Sequence, residues 1–363
     1  MNSRSLFFFL LLLLLASCER RPLMEANNTH YVRVYVDEAL LNVTTGFYNS
    51  EYARPNYSSP EVLRLILADP VTGEARAERF LRDRGKDARG TYYEGYIIAD
   101  PGVYTLMAYN FDTETTQISG NSNHKEAKAY TNEIASHLYT RITSRVTKSA
   151  SDAGATTRNE KIVYEPDHLF AANCGEVDIP YTERIDTLAP VEGGYFTAQS
   201  IVKSYYLQVR VQGMEYASSS VGLLTGLSGS SWLNGGGMDL SDLVTVYFEM
   251  QPGENAATGI KKSSGTGEGE SSTVTLYTTF STFGKLPDVD NDLEITFDFL
   301  TVYGEPYSET INITDEFATP EAINHQWLLI DHTIVIPPPP RSEGGGFNPG
   351  VDEWGDVETE IVI

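Results

Sequence analysis

Apolar and polar residues alternate in short stretches along most of the chain, and a period of two can bury one whole face only in a β-sheet. In Tyr31-Val-Arg-Val-Tyr-Val36, Val32, Val34 and Val36 share one side, while Tyr31, Arg33 and Tyr35 share the other. Similar segments fall at Val62–Leu67, Tyr92–Ile98, Val103–Asn110, Lys161–Tyr164 and Glu176–Pro180. They resume at Ser204–Val211, Leu243–Met250, Thr273–Phe280, Leu293–Tyr303, Tyr307–Ile313 and Trp327–Ile336. Turn chemistry separates them, as in Asp100-Pro-Gly102 and the Gly/Ser clusters Ser228–Gly237 and Gly253–Ser272. With 22 Tyr and 15 Phe, the composition suits strands. No β-α-β alternation supports a parallel sheet. The expectation is therefore an all-β chain of two tandem antiparallel β-sandwich domains. The first would span 31–188 and the second 189–340, divided at the break Leu188-Ala-Pro-Val-Glu-Gly-Gly194.

One stretch departs from the pattern. Tyr130, Ile134, Leu138, Ile142 and Val146 recur every four residues, which predicts an amphipathic helix inserted in the first domain. Residues 147–160, rich in Ser, Ala, Thr and Gly, read as a loop.

The N-terminus carries an address. Arg4 precedes a wholly apolar run from Leu6 to Ala16, the pattern of a secretory signal peptide over 1–17. The run is shorter than the roughly 20 residues a membrane-spanning helix needs. Leu15-Ala-Ser-Cys18 resembles a bacterial lipoprotein box, with small residues before the cysteine that takes the lipid. Cys18 is thus the expected lipidation site, since two or more acyl chains anchor stably where one does not. Residues 18–30 would be a tether. Cys174, the other cysteine, then has no intramolecular partner and is expected to be buried.

The C-terminus is unusual for a chain end, which is normally frayed and polar. Pro337–Pro340 stop the last domain strand, and Gly344-Gly-Gly-Phe-Asn-Pro-Gly350 forms a hinge within a linker and strand over 341–363. Beyond it Val357, Thr359, Ile361 and Ile363 share one face, and Asp356, Glu358 and Glu360 the other. A strand with an apolar stripe behind such a linker suits addition to another chain's sheet.

Chemistry is sparse. With 50 Asp plus Glu against 26 Lys plus Arg the net charge is −24, which excludes general binding to nucleic-acid phosphate. The six histidines (30, 124, 137, 168, 325 and 332) form no zinc motif. Gly226-Leu-Ser-Gly-Ser230 lacks the second glycine of a nucleophile elbow, and Gly265-Thr-Gly-Glu-Gly269 is too acidic for a phosphate loop. Asp288, Asp290 and Asp292 begin like a calcium loop. Leu293 at position six and Phe299 at position twelve break that pattern, so they remain only a weak metal candidate. Tyr92, Tyr93, Tyr96, Tyr205 and Tyr206 suit strand packing, with sugar stacking as the alternative. No catalytic residue or cofactor site emerges, and an enzyme is not expected.

The lipoprotein box, the two β-rich halves and the alternating tail together resemble the fimbrillin superfamily of Bacteroidetes. The strand Ser204–Val211 with Leu223-Leu-Thr-Gly-Leu-Ser-Gly229 is similar to the opening of a fimbrillin-like domain. The ending from Gly344 to Trp354 plus Val357–Ile363 resembles the tail of such lipoproteins. The resemblance implies two transthyretin-like sandwiches, assembly into type V pili by strand exchange with other fimbrial subunits, and no cofactor. It also implies that stalk subunits lose their first strand, here Tyr31–Leu41, to an arginine-specific protease. Arg54 is the candidate protease site, but it precedes Pro55, which hinders cleavage and favours an anchor or accessory subunit over a stalk. The expected location is the outer membrane, at the cell surface or in a fimbrium. Asp186-Thr-Leu188 resembles an O-glycosylation site of these bacteria. The alternative function is a cell-surface lipoprotein that binds glycans or host proteins.

Overall fold

The computed structural model describes residues 28–38, 59–140, 142, 160–182, 184–235, 237–252, 273–285 and 292–340. In chain order the first half supplies β1 (Thr29–Val36), β2 (Leu63–Ala68), β3 (Ala75–Leu81), β4 (Asp83–Asp87), β5 (Gly90–Ile98) and β6 (Gly102–Asn110). It continues with β7 (Thr116–Ser119), β8 (Lys128–Thr131), β9 (Lys161–Tyr164), β10 (Phe170–Ile179) and β11 (Phe196–Ser200). The second half holds β12 (Lys203–Gln212), β13 (Ala217–Ser228), β14 (Ser230–Trp232), β15 (Leu243–Glu249) and β16 (Gln251–Pro252). After these come β17 (Thr273–Thr282), β18 (Glu294–Thr301), β19 (Pro306–Asn312), the short helix α1 (Pro320–His325) and β20 (Trp327–Val335).

Eight strands of the first half form one sheet in the order β3-β2-β6-β10-β11-β1-β5-β4. Only Arg82 separates β3 from β4, yet they occupy opposite ends of that order. The sheet must therefore fold over on itself, and β3 lies against β5. The alternation explains what it encloses. Val32, Val34, Leu65, Leu106, Phe170 and Phe196 point inward and lose nearly all contact with solvent. In the second half a four-stranded sheet (β16-β17-β12-β20) and a five-stranded sheet (β19-β18-β13-β15-β9) share a core containing Leu207, Phe248, Phe280, Phe297 and Phe299. Phe248 and Phe280 stack there at 4.6 Å. Gly213, at φ 79, lets the chain leave β12 against the end of β20; a Cβ there would stand 2.4 Å from the Ile336 carbonyl oxygen.

The all-β expectation holds, with three corrections. First, the sheets are not purely antiparallel. β1 pairs with β11, β12 with β20, and β15 with β9, all in parallel. Each pair joins strands more than sixty residues apart, and a strand that returns after such an excursion needs no hairpin to set its direction. Second, β11 sits between β10 and β1 in the first sheet, so a division at 188/189 would detach it; the change of sheet falls between Ser200 and Lys203. The halves are also cross-linked, because β9 joins the second half's sheet and β14 pairs with β8. Third, the helix does not begin at Tyr130, where its four-residue period would start it. Tyr130 belongs to β8, where Ala129 and Thr131 are buried and Tyr130 is exposed, a period of two. Helical backbone is described at 136–140 and 142, and Ile134, Leu138 and Ile142 pack near Ile162 and Leu223. Val146 lies outside the described residues.

Candidate assembly interface

β1 is an interior strand of the first sheet. It lies between β5, antiparallel over the whole strand, and β11, parallel through Val34↔Phe196, Tyr35↔Thr197 and Val36↔Ala198. On its inner side Val32 and Val34 are fully buried and Val36 nearly so. Withdrawing β1 would uncover two strand edges and a slot shaped for apolar side chains at alternate positions. The strand ends at Val36, where the Asp37 N–H donates to the Ala198 carbonyl at 2.9 Å, five residues short of the expected Tyr31–Leu41. Residues 39–41 lie outside the described residues.

The outer side of β1 carries a polar and aromatic lattice. Arg33 donates to Glu94 Oε2 at 2.6 Å and lies 3.8 Å above the Tyr92 ring. Tyr31 meets Tyr96 edge-on at 5.5 Å, and Tyr35 meets both Tyr92 and Tyr195 at 5.7 Å. The Arg89 backbone N–H and the Tyr35 hydroxyl, both donating to Asp87, hold its carboxyl below the usual range. This lattice orients β1 without adding to the core.

A second feature, not foreseen from sequence, joins the two halves. Residues 165–169 run from β9 in one half's sheet to β10 in the other's. Asp167 Oδ2 accepts from the backbone N–H groups of Glu114, Thr115 and Thr116 at 2.7, 2.5 and 3.1 Å. Glu165 Oε2 accepts from the Ser281 N–H of β17 at 2.9 Å. Ser204 Oγ lies 3.2 Å from His168 Nε2 and 3.0 Å from Ser281 Oγ. Burial pushes the Glu165 carboxyl up to about 7, with Asp167 and Glu249 adding negative charge and the Ser281 bond opposing. Burial also pushes the His168 imidazole down to about 4, against the pull of Asp167. A Ser–His contact in sequence order could suggest catalysis, but Ser204 is 2% exposed and no substrate could reach it.

The other residues singled out in the sequence do not converge. His325 stacks on Trp327 at 4.6 Å, His332 pairs with Glu309 at 2.5 Å, and His124 lies 3.3 Å from the Gly73 carbonyl. His30 is buried at the inner side of β1. Tyr93 is fully buried with its hydroxyl on the Pro60 carbonyl, and Tyr205 and Tyr206 are also buried, so these three serve packing. Tyr96 lies on the outer face. Gly226–Ser230 runs through β13 into β14, with Ser228 and Ser230 buried, which removes the elbow reading. Asp292 is exposed, Asp288 and Asp290 lie outside the described residues, and no metal-ligating cluster of three occurs among the described ones. Cys18, Arg54 and the tail residues Val357, Thr359, Ile361 and Ile363 also lie outside them, as does the Cys174 side chain. No described helix is long and apolar enough to cross a membrane.

Residues 53–249 match the family described as a domain of unknown function, DUF5119, and the chain belongs to that family. A relative from Bacteroides ovatus, named "Putative fimbrium anchoring subunit Fim4B", is 25% identical over 313 residues, covering 82% of this chain and 83% of its own. Among solved structures, one titled a putative adhesin from Bacteroides ovatus matches with TM-score 0.53 and 18% identity, covering 89% of this chain and 98% of its own. The fimbrial anchor protein Mfa2 from Porphyromonas gingivalis matches with TM-score 0.41 and 13% identity, over 85% and 90%. The resemblance to fimbrial proteins of Bacteroidetes drawn from the sequence is shared with the Bacteroides ovatus relative named as a fimbrium anchoring subunit.

Proposed function

We propose that this protein is a lipid-anchored structural subunit of type V fimbriae, an anchor or accessory component, that joins its neighbours by β-strand addition and supports adhesion. The observation that carries the reading is the seat of β1. Three valines at alternate positions lie buried between two strands of one sheet. A neighbouring subunit with such a seat offers a slot for an alternating strand, and Val357, Thr359, Ile361 and Ile363 have that spacing. The relative named as an anchoring subunit supports the same class. Pro55 after Arg54 disfavours removal of β1, so this subunit keeps its own first strand and donates its last. Ile361 and Ile363 would each contribute about 1.5–3 kcal/mol if fully buried in the acceptor. Main-chain hydrogen bonds of about 0.5–1.5 kcal/mol each add to this, less the cost of ordering the tail. The role needs no catalysis and no cofactor.

Deleting residues 351–363 is expected to leave the unfolding midpoint unchanged while abolishing co-purification with a partner subunit. Undiminished co-purification would sink the donor reading. Cys18→Ala is expected to move the protein from the membrane fraction to the soluble one; continued membrane association would remove the lipid anchor from the proposal.

A further inference from the structure

Along a chain of net charge −24, residues 75–89 stand out, with six Arg/Lys against three Asp/Glu, a local charge of +3. They form β3, β4 and the turn that follows, the ribbon at which the folded-over sheet brings its two ends together. Arg76, Arg79, Arg82, Arg84, Lys86 and Arg89 are all exposed. Arg76 pairs with Asp69 at 3.2 Å, Arg84 with Glu38 at 3.4 Å, and Arg89 covers the Tyr195 ring at 3.7 Å. Arg79, Arg82 and Lys86 make no ion pair with any described residue.

β4 pairs with β5 and with no other described strand, so its outer edge is open among the described residues. Arg84 stands opposite Tyr93 and Lys86 opposite Thr91, both buried, so these cations hold positions on the core-facing side of an edge strand. Arg82 has the same parity. Charges so placed keep apolar strands from adding to an edge. They do not exclude an acidic strand. In the tail, residues 352–360 carry five Asp/Glu and no Lys or Arg, and Asp356, Glu358 and Glu360 repeat at the two-residue period of Arg82, Arg84 and Lys86. In extended chain both rows have a spacing of about 6.6 Å, and opposite charges across a strand pair attract while like charges repel.

We propose that the edge of β4 left open among the described residues accepts the acidic C-terminal strand 356–363 of a second copy of this chain, with Asp356, Glu358 and Glu360 facing Arg82, Arg84 and Lys86. This rests on the reading of the tail as a donor strand and adds to the vacated first-strand seat of a neighbouring subunit a second acceptor, the β4 edge of another copy. The apolar side of the added strand then falls on the side shared by Asp83, Gly85 and Asp87, where the Tyr92 ring lies over Gly85; a Cβ at Gly85 would stand 2.3 Å from that ring. The ribbon acts as a selective edge: it repels basic strands, gives neutral ones no gain for displacing water from its cations, and pairs with acidic ones.

The test is fluorescence anisotropy with a labelled synthetic peptide of residues 351–363, titrated with the full chain in detergent. Saturable binding is expected, weakened at least tenfold by Arg82→Glu with Lys86→Glu, and equally by replacing Asp356, Glu358 and Glu360 of the peptide with Asn, Gln and Gln. Raising salt from about 50 to 300 mM should also weaken it severalfold. Both substituted residues are exposed, and an unchanged unfolding midpoint verifies the fold of the variant. Equal binding to wild type and double variant would overturn the β4 assignment while leaving the donor strand intact. Absent peptide binding, with partner co-purification still dependent on 351–363, would overturn self-acceptance alone. Dextran sulfate bound with the same loss in the double variant, while the peptide does not bind, would make the ribbon a polyanion surface and overturn the strand proposal.

Discussion

Val34→Asp is expected to unfold the first half of the protein. Val34 is fully buried, paired across β1 with Tyr93 on one side and Phe196 on the other. Its surroundings in the core are apolar: Val32, Leu65, Leu106 and Phe170. A carboxylate placed there loses its hydration and gains no partner, so the cost exceeds about 4 kcal/mol, comparable with the whole stability of a typical domain. The second half has a separate core around Phe248, Phe280 and Phe297. Its near-ultraviolet signal should therefore outlast that of the first half in a urea titration. A midpoint within about 0.5 kcal/mol of wild type, a typical surface-substitution effect, would show that β1 does not close the first core.

The second large effect concerns pH. Glu165 holds its proton in the folded state up to about 7, whereas in the unfolded chain it releases it near 4.3. As pH rises through that window the unfolded state binds fewer protons than the folded one, so stability falls, by about 1.4 kcal/mol per unit at most and by about 3–4 kcal/mol in all. His168 acts in the opposite direction. Its folded-state value of about 4 lies below the ordinary 6.5, so the unfolded chain takes up a proton first and stability falls as pH drops from 6.5 to 4. The two slopes oppose one another between about 4.5 and 6.5, and the loss from Glu165 stands alone above that. Glu165→Gln keeps an acceptor for the Ser281 N–H, 2.9 Å away, and removes the titration. It should stabilise the protein by about 2–3 kcal/mol at pH 8 and by little at pH 5. Below 6.5 the variant should lose stability more steeply than wild type, because His168 is no longer opposed. Urea midpoints from pH 4.5 to 8 measure this, and an unchanged midpoint at pH 8 would disprove it.

Where apolar alternation was strong, the strands were legible. Tyr31–Val36 became β1 with the expected inner and outer faces, and Ser204–Val211, Thr273–Phe280 and Trp327–Ile336 fall on β12, β17 and β20 within a few residues. β3 and β4 were missed because Arg76, Arg79, Arg82, Arg84 and Lys86 obscure the alternation, an edge needing far less apolar surface than a central strand. β11 lies beyond the expected boundary at 188/189 yet joins the first sheet, because the alternation of Phe196 and Ala198 shows that one face is buried but not against which sheet. The polar junction was invisible for a related reason. Glu165, Ser204 and Ser281 lie far apart in sequence, and each alone is an ordinary surface-type residue.

The pattern of side chains was enough to require β-structure, to locate most strands and to mark the two ends of the chain as unusual, because period, charge and local turn chemistry act over a few residues. Strand order, the parallel closures of β1 on β11 and β12 on β20, and the partial burial of Glu165 between the halves emerged only in three dimensions. Those features depend on which distant segments exclude water together, and that choice is made by the whole packed core.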